Sequence, residues 1–451
     1  MIFSKRTYAL ILLFVMSFSF SFGQGDFNLP KRKTDKIRFQ LINNLIIIPV
    51  EINGVKLSFL LDTGVSKPLL FNITNTDSLQ INNVETIFIR GLGDGESVKA
   101  LKSNNNFFKI GNAVNINQDV YVVFDQNINF TPRLGVPVHG IIGYDLFKNF
   151  VVEINYRSKY LKLHRKDVYQ YKPCKKCETF NLSFFNNKPY MDLKARFGDQ
   201  NVPIKLLIDT GSSDALWLFE DESKGISTTH HNYFHDFLGR GLSGNVYGLR
   251  SIVKSLDLKN FKLNDVNVAF PDSSAITYAR RHKERNGSIG AEMLRRFNLI
   301  VDYGNSKITL KKNSNFKAGF QYNRSGIVLE QTGVRVVRER SNNNILDSYG
   351  QNRDKVNIDI VRSYQFKLKP AFTIVDIRKG SPAERAGLKI DDVVLSINGK
   401  EAHLLKLQQV IGYFRERPGK SVRLRIERNK EIMNFDFKLE DVFKKKNSLD
   451  K

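Results

Sequence analysis

The sequence predicts a mostly β protein of two duplicated lobes followed by a separate, smaller β-rich domain. Three observations lead there. Short apolar or alternating runs are broken by Asn-Gly and other glycine-bearing turns, five landmarks repeat at a fixed offset of 147 residues, and the pattern changes after Leu310. The landmarks are Leu60-Leu61-Asp62-Thr63-Gly64 recurring as Leu207-Ile208-Asp209-Thr210-Gly211, Ile141-Ile142-Gly143 as Ser288-Ile289-Gly290, Phe150 as Phe297, Tyr156 as Tyr303, and Leu163 as Leu310. Chance similarity between β segments would not hold one register over such a length, so the unit is duplicated. Strand-dense units of this size must curl or pair to bury both sheet faces, hence two lobes.

The first copy is expected to carry strands at 45–50, 55–61, 85–90, 107–110 and 120–124, and the second at 190–194, 204–208, 249–256 and 266–270. A short helix should follow each Ile-Gly, at 144–149 and 291–296. Each copy should close with a hairpin, 151–156 with 160–164 and 299–303 with 307–311. A polar, basic stretch at 311–320 then leads into strands at 326–329 and 372–377, with 340–354 as a surface excursion. Ser381 as N-cap, Pro382 at the first helical position and Gly387 at the end define a short helix. A strand over 391–399 enters a tight turn, Leu404, Leu407, Val410 and Ile411 form one stripe of a helix over 404–417, and strands at 422–426 and 433–439 finish the domain. The resulting division is 24–165, 166–315 and 320–440, with a basic tail at 441–451.

Composition fits this picture. At 451 residues, 41% hydrophobic and 25% charged, with 30 Gly and 12 Pro, the chain is neither disordered, collagenous nor a multi-span membrane protein. Lys5 and Arg6 precede an apolar run over 8–20, and small residues stand one and three positions before a cut ahead of Gln24, the layout of a secretory signal peptide over 1–23. Export to the periplasm or the medium is the expectation, with a retained anchor as the competing reading of a run short for a bilayer span. The net charge of +25 implies weak association with anionic surfaces. Basic residues at 31–36, Lys311-Lys312 and 444–446 are scattered without a stacking module, so no specific nucleic-acid partner is expected. Cys174 and Cys177 are too few for a structural zinc site and read as a local disulfide.

The repeated Asp-Thr-Gly is the chemistry-bearing feature. Each Asp ends an apolar strand, each Gly permits close backbone approach, and each Thr supplies an uncharged hydroxyl. A pseudo-twofold arrangement would bring Asp62 and Asp209 face to face, where they share one proton: one carboxylate acts as base on a water while the other polarises a carbonyl. Other clusters are weaker. Ser212-Ser213 with His230, His231 and His235 lacks a Gly-x-Ser-x-Gly, and no His-Glu-x-x-His exists to hold zinc. Neither a metal nor a cofactor is therefore expected.

On these residues the chain resembles the aspartic peptidases, specifically the retropepsin-like bacterial branch with both lobes on one chain and a PDZ domain behind them. The resemblance implies catalysis by Asp62 and Asp209, bracing of the two active loops by Thr63 and Thr210, close approach of the Gly64 and Gly211 amides, and support from Ser66 and Ser213 two positions further on. Ile142-Gly143 and Ile289-Gly290 match the pair packed behind each loop. Ser288 departs from Ile141 of the first copy, and Val65 departs from the small residue usual after the first Asp-Thr-Gly. Two flap tips are implied at Gly91, Gly93 and Gly95 and at Gly239, Gly241 and Gly244, which lie 29 and 30 residues beyond their aspartates. The last domain resembles a PDZ domain of the bacterial protease-associated type, which implies a peptide carboxylate loop at Ser325, Gly326, Ile327 and Val328. The expected function is an aspartic endopeptidase acting on proteins or peptides, complete as a monomer. The alternative is a non-catalytic exported protein that binds peptides through its PDZ domain.

Overall fold

A computed structural model of the protein describes residues 25–73, 79–125, 128–228, 232–340, 345–349, 357–361 and 364–443. The expected leader at 1–23, His230 and His231, and most of the basic tail lie outside the described residues.

The two copies form eight-stranded sheets with the same strand order. In the first the order is Gln40–Ile42, Leu45–Ile52, Val55–Leu61, Gly140–Ile142, Leu69–Leu70, Ala113–Val123, Val98–Ile110, Val84–Ile89. In the second it is Ser183–Phe185, Lys188–Phe197, Gln200–Asp209, Gly287–Gly290, Leu216–Leu218, Phe261–Pro271, Gly244–Leu258, Phe234–Gly241. Each sheet curls on itself, because the second strand in the order also pairs with the seventh.

The hairpins that close the copies do not stay in separate lobes. Phe150–Asn155 pairs with Phe297–Asp302, with Val152 opposite Val301, and this contact builds one six-stranded sheet from strands of both copies. A single core cluster accordingly runs from Phe27 through Phe147 and Phe197 to Leu310. The boundary expected near residue 165 thus crosses a continuous sheet and core. Cys174 and Cys177, on the segment between the copies, are joined by a disulfide with Cα atoms 5.4 Å apart.

Several strands are longer than their apolar runs. Val98–Ile110 and Ala113–Val123 bury Ser103, Asn106, Asn115 and Gln118 completely. These polar groups satisfy one another: Asn106 Nδ2 donates to Ser103 Oγ (2.9 Å), Asn115 Nδ2 to Gln118 Oε1 (2.8 Å), and Gln118 Nε2 to Asp145 Oδ2 (2.9 Å). An alternation rule read from apolar residues alone cannot see such strands.

The third domain has its own core, including Ile327, Phe372, Ile374, Leu388, Leu407, Val410, Phe414 and Leu424. Its main sheet runs Ile327–Arg340, Tyr364–Ile377, Val393–Ile397, Ser421–Arg428, Glu431–Lys438. The first two strands pair out to Arg340 and Tyr364, a ribbon far longer than the strands expected at 326–329 and 372–377. The expected helix over 404–417 is shorter, at Leu407–Tyr413. Leu404 ends a preceding 3-10 turn and is 67% exposed, because Leu405 and Lys406 take extended backbone and break the stripe; Phe414 fills the core instead. The short helix Pro382–Arg385 is capped as expected, with Ser381 Oγ accepting from the Glu384 amide and Gly387 at φ +91°.

Because the third sheet of the peptidase-like body is shared, residues 25–168 expressed alone should show no cooperative thermal transition by circular dichroism, whereas 25–321 should. A cooperative melt of the first copy alone would contradict the shared core.

Candidate active site

Each Asp-Thr-Gly loop leaves the end of a central strand and passes a neighbouring strand in parallel register. Leu61 pairs with Ile142 and Ile208 with Ile289, and both isoleucines are fully buried. The Asp62 amide donates to the Ile142 carbonyl at 2.9 Å. The glycine after each isoleucine is obligatory for contact: a Cβ on Gly143 would lie 2.0 Å from the Asp62 carbonyl oxygen, and one on Gly290 2.3 Å from that of Asp214. Val65 donates its amide to the Asp62 carbonyl, accepts from the Tyr144 amide, and packs on an apolar cluster of the first lobe.

The two loops are tied by a reciprocal set of four hydrogen bonds. The Thr63 amide donates to Thr210 Oγ1 (3.0 Å) and the Thr210 amide to Thr63 Oγ1 (3.1 Å). Each hydroxyl in turn donates to the carbonyl before the opposite aspartate, Thr63 Oγ1 to Ile208 (2.6 Å) and Thr210 Oγ1 to Leu61 (2.9 Å). Both threonines are buried. Within each loop a glycine amide holds its own carboxylate, Gly64 to Asp62 Oδ1 at 2.7 Å and Gly211 to Asp209 Oδ1 at 3.1 Å. The loops interlock closely enough that a Cβ on Gly211 would lie 2.2 Å from Asp62 Oδ2.

Asp62 and Asp209 are partly open to the cleft, yet protein walls them in. Burial, and then the negative charge of Asp209, push the Asp62 carboxyl up to about 8, against the pull of the Gly64 amide. Burial also raises Asp209, opposed first by Arg285 and then by Lys188. Lys188, at the start of Lys188–Phe197, faces both carboxylates and is itself lowered by burial. Lys188 and Arg285 belong to no sequence motif; the one hint was Ser288, whose hydroxyl accepts from Arg285 Nη2 at 2.6 Å.

The serines sit at the lobe seam. Ser66 Oγ donates to the Asn186 carbonyl (2.5 Å), and the Ser213 carbonyl accepts from Asn44 Nδ2 (3.0 Å), so the turn of each lobe's outer hairpin rests on the other lobe's active loop. Behind the second loop, Trp217 Nε1 donates to Asp214 (2.7 Å), Arg250 bridges Asp214 (3.3 Å) and Asp236 (2.8 Å), and Arg378 of the third domain faces Asp236 at 3.8 Å. Nothing in the sequence flags that relay.

The glycine loops at 91–95 and 241–244 meet each other. The Ser243 amide donates to the Leu92 carbonyl (2.9 Å), the Gly95 amide to the Ser243 carbonyl (2.7 Å), and the Gly91 amide to Ser243 Oγ (3.1 Å). Leu92 packs among Trp217, Leu238 and Ala275 of the second lobe, while Leu242 packs on the Leu60, Ile141 and Leu69 cluster of the first. Gly93 takes φ +126° with its Cα against the 243–244 peptide, and a Cβ on Gly241 would lie 2.1 Å from the Leu92 carbonyl oxygen. Gly239 stands in open space, away from this contact. An open groove of about 740 Å³ beside the contact is lined by Val98, Ala100, Phe124, Ile128, Arg240 and Leu242.

In the third domain Ser325 is fully buried and Gly326 has φ +84°. The Ser325 and Gly326 amides donate to Asn323 Oδ1, and the Ile327 amide to Ser325 Oγ, so a ligand carboxylate would compete with these internal acceptors. Ile327–Arg340 is the edge strand. Beside it the first lobe intrudes: Gln408 Nε2 donates to the Leu134 carbonyl (2.5 Å), Arg133 faces Glu330 (3.6 Å), and a Cβ on Gly135 would lie 3.1 Å from Leu407 Cβ.

Comparison with known proteins agrees with this architecture. Residues 48–146 match the aspartyl protease family model and residues 373–428 the PDZ domain model. A relative named probable periplasmic serine endoprotease DegP-like, from Hahella chejuensis (strain KCTC 2396), is 32% identical over 81 residues, 18% of this chain; the chain spans only 17% of that relative's length. Among solved structures, the aspartic proteinase from Irpex lacteus overlaps 63% of this chain and 99% of its own, at 13% identity and a TM-score of 0.40. The chain is a mostly β, aspartyl-protease-like pair of lobes followed by a PDZ domain.

Two consequences are measurable. Thr63→Val leaves the buried Thr210 amide and Ile208 carbonyl without that partner and should cost about 2 to 4 kcal/mol in denaturant unfolding, with Thr63→Ser costing less than about 1 kcal/mol. Gly241→Ala should leave the fold intact but hold the 91–95 and 241–244 loops apart, a contact penalty of about 1–3 kcal/mol, read as lower hydrogen-exchange protection of the Ser243 and Gly95 amides.

Proposed function

We propose that this chain is an exported aspartic endopeptidase that hydrolyses peptide bonds with a water held between Asp62 and Asp209, and that its PDZ domain recognises substrates or partners. The observation that carries this reading is the reciprocal threonine clasp, which holds two carboxyl groups against each other at the seam of two lobes. One carboxylate, ionised, takes a proton from water as the water oxygen attacks the peptide carbonyl carbon. The other, protonated, gives its proton to the carbonyl oxygen. The tetrahedral diol collapses as a proton passes to the amide nitrogen, the C–N bond breaks, and acid and amine leave.

Serine catalysis, named in the DegP-like relative, finds no support in the described side chains. Ser66 Oγ is spent on the Asn186 carbonyl. His139 accepts from the Ser58 amide, His164 and His235 face Glu153 and Asp272, His282 stacks on Phe185, and His403 faces Glu339. None of these is a base poised on a serine hydroxyl. Substrate reaches the dyad when Leu92 and Leu242 part, and the interleaved flap tips then exclude water from the closed complex. A peptide lying along the edge strand Ile327–Arg340 meets Arg133 and Gly135 of the first lobe beside Glu330 and Leu407, so the covered groove accommodates a short chain end unless the 133–135 turn moves.

Asp62→Asn and Asp209→Asn should each abolish cleavage of a mixed peptide library, read by mass spectrometry, while each variant keeps a cooperative unfolding transition. The rate should fall as pH rises through about 8, where Asp62 loses its proton. Full activity in either variant would sink the dyad mechanism.

A further inference from the structure

The duplicated lobes differ in one row of residues beside the dyad. Leu60 and Leu207 each stand two residues before an aspartate, and so lie on the aspartate's own face of the sheet. In the first lobe the pairing register sets Ile47, Leu60, Ile141 and Leu69 side by side, all apolar and buried. In the second lobe the same row reads Tyr190, Leu207, Ser288 and Trp217.

The polar row serves Arg285. Its counterpart is fixed by the next residue in each copy. The Ser58 amide donates to His139 Nδ1 and the His139 amide to the Ser58 carbonyl; likewise the Lys205 amide donates to Asn286 Oδ1 and the Asn286 amide to the Lys205 carbonyl. Arg285 therefore replaces Val138, which is fully buried in an apolar cluster. The Arg285 guanidinium, only 8% exposed as a residue, donates to Ser288 Oγ (2.6 Å) and the Gly287 carbonyl (3.1 Å), lies near the Tyr190 hydroxyl, and sits 5.2 Å over the Phe219 ring. All of these partners are neutral. Among the described residues no carboxylate stands within 4 Å of Arg285, and neighbouring Glu284 pairs with Lys205 at 3.2 Å instead. A buried cation without a counter-ion is costly, and the carboxylate whose field it meets is Asp209.

We propose that Arg285, seated by Ser288 and Tyr190, is a positioning residue that fixes where the dyad's single proton resides: Asp209 stays ionised and takes the proton from water, and Asp62 holds the proton given to the substrate carbonyl. This rests on the peptidase reading for its catalytic half. The other groups facing the dyad do not make this choice. Lys188 acts on both carboxylates, each carboxylate accepts from its own glycine amide (Gly64 at 2.7 Å, Gly211 at 3.1 Å, the shorter bond favouring charge on Asp62), and the buried Tyr303 near Asp62 is held protonated. Arg285 and the Ser212 amide both favour the ionised form of Asp209, and Arg285 is the charged one of the two; its charge breaks the symmetry that the threonine clasp imposes.

The test has two arms on the full mature chain. Infrared difference spectra near pH 6 locate the protonated carboxyl without any need for turnover. Its band should vanish in Asp62→Asn and persist in Asp209→Asn; the reverse overturns the proposal. In the rate arm, the acid limb of kcat/KM reports ionisation of Asp209. Arg285→Met should move that limb up by about one pH unit, about a tenfold loss on the acid side, while Arg285→Lys restores most of it. A folded Arg285→Met with an unmoved acid limb also overturns the proposal. Should Arg285→Met fail to fold, Tyr190→Phe and Arg285→Lys, together with the infrared assignment, still decide. A wild-type chain without peptidase activity at any pH refutes the proposed function, and the infrared arm then judges the proton assignment by itself.

Discussion

The structure hangs on the exchange of hydrogen bonds between Thr63 and Thr210. Two carboxylates resist being brought together, since unit charges 4 Å apart in a protein site repel by about 4 kcal/mol. Four bonds between buried partners, two of them to the carbonyls that immediately precede the aspartates, oppose that repulsion at the place where it acts. The remaining architecture keeps the clasp from opening. The six-stranded sheet with Val152 opposite Val301 pins the lobes on one side, and the hairpin turns at Asn44 and Asn186 pin the rim of each active loop to the opposite lobe. Glycines at 143, 211 and 290 permit approaches that any side chain would block.

The same logic extends outward to the third domain. The strand Phe234–Gly241 has its tip at the Leu92 contact and its base against the PDZ domain, where Asp236 faces Arg378 and Phe234 packs on Phe443. Arg250 ties that base to Asp214, five residues beyond Asp209. On the other lobe Arg133 covers Phe237 of the same strand and faces Glu330 of the PDZ edge. This strand of the second lobe is therefore bonded at its tip to the 91–95 loop and at its base to the domain that follows, and the base cannot shift without disturbing the Arg250, Asp236 and Arg378 charges.

Much of this was legible in the sequence because duplication is a global signal. The 147-residue offset located both aspartates, both clasp threonines and the isoleucine-glycine pairs without reference to any single strand. The glycine loops at 91–95 and 239–244 were read from the resemblance and from their distances of 29 and 30 residues beyond the aspartates, and Gly239 falls outside the contact that the rest of them make. Other features were opaque for identifiable causes. The polar interior of Val98–Ile110 and Ala113–Val123 hides from a rule based on apolar alternation, since Asn106 and Gln118 are satisfied by partners known only in three dimensions. The helix at Leu407–Tyr413 lost its expected first turn to a two-residue extended break that composition does not announce. Lys188 lies 21 residues before Asp209, and Arg285 stands beside the Ser288-Ile289-Gly290 landmark but outside any motif. Their relation to the dyad depends on strand register, and Ser288 was its one visible trace.

That trace bears on how a duplicated site can work at all. A clasp between two loops is strongest when both contribute the same groups in the same geometry, so selection on stability favours equal lobes. Proton transfer in the proposed hydrolysis requires the opposite, because a base and an acid must differ in charge at the moment water attacks. In this chain the two demands are met by different residues. Thr63 with Thr210 and Gly64 with Gly211 remain matched pairs inside the loops, while the difference is placed one strand away, where Arg285 stands at the position of Val138 and Ser288 at that of Ile141. On the proposed assignment, a charge in that place biases the carboxylates through the field without entering the hydrogen bonds that hold them, so the symmetry of the clasp and the asymmetry of the proposed chemistry do not compete.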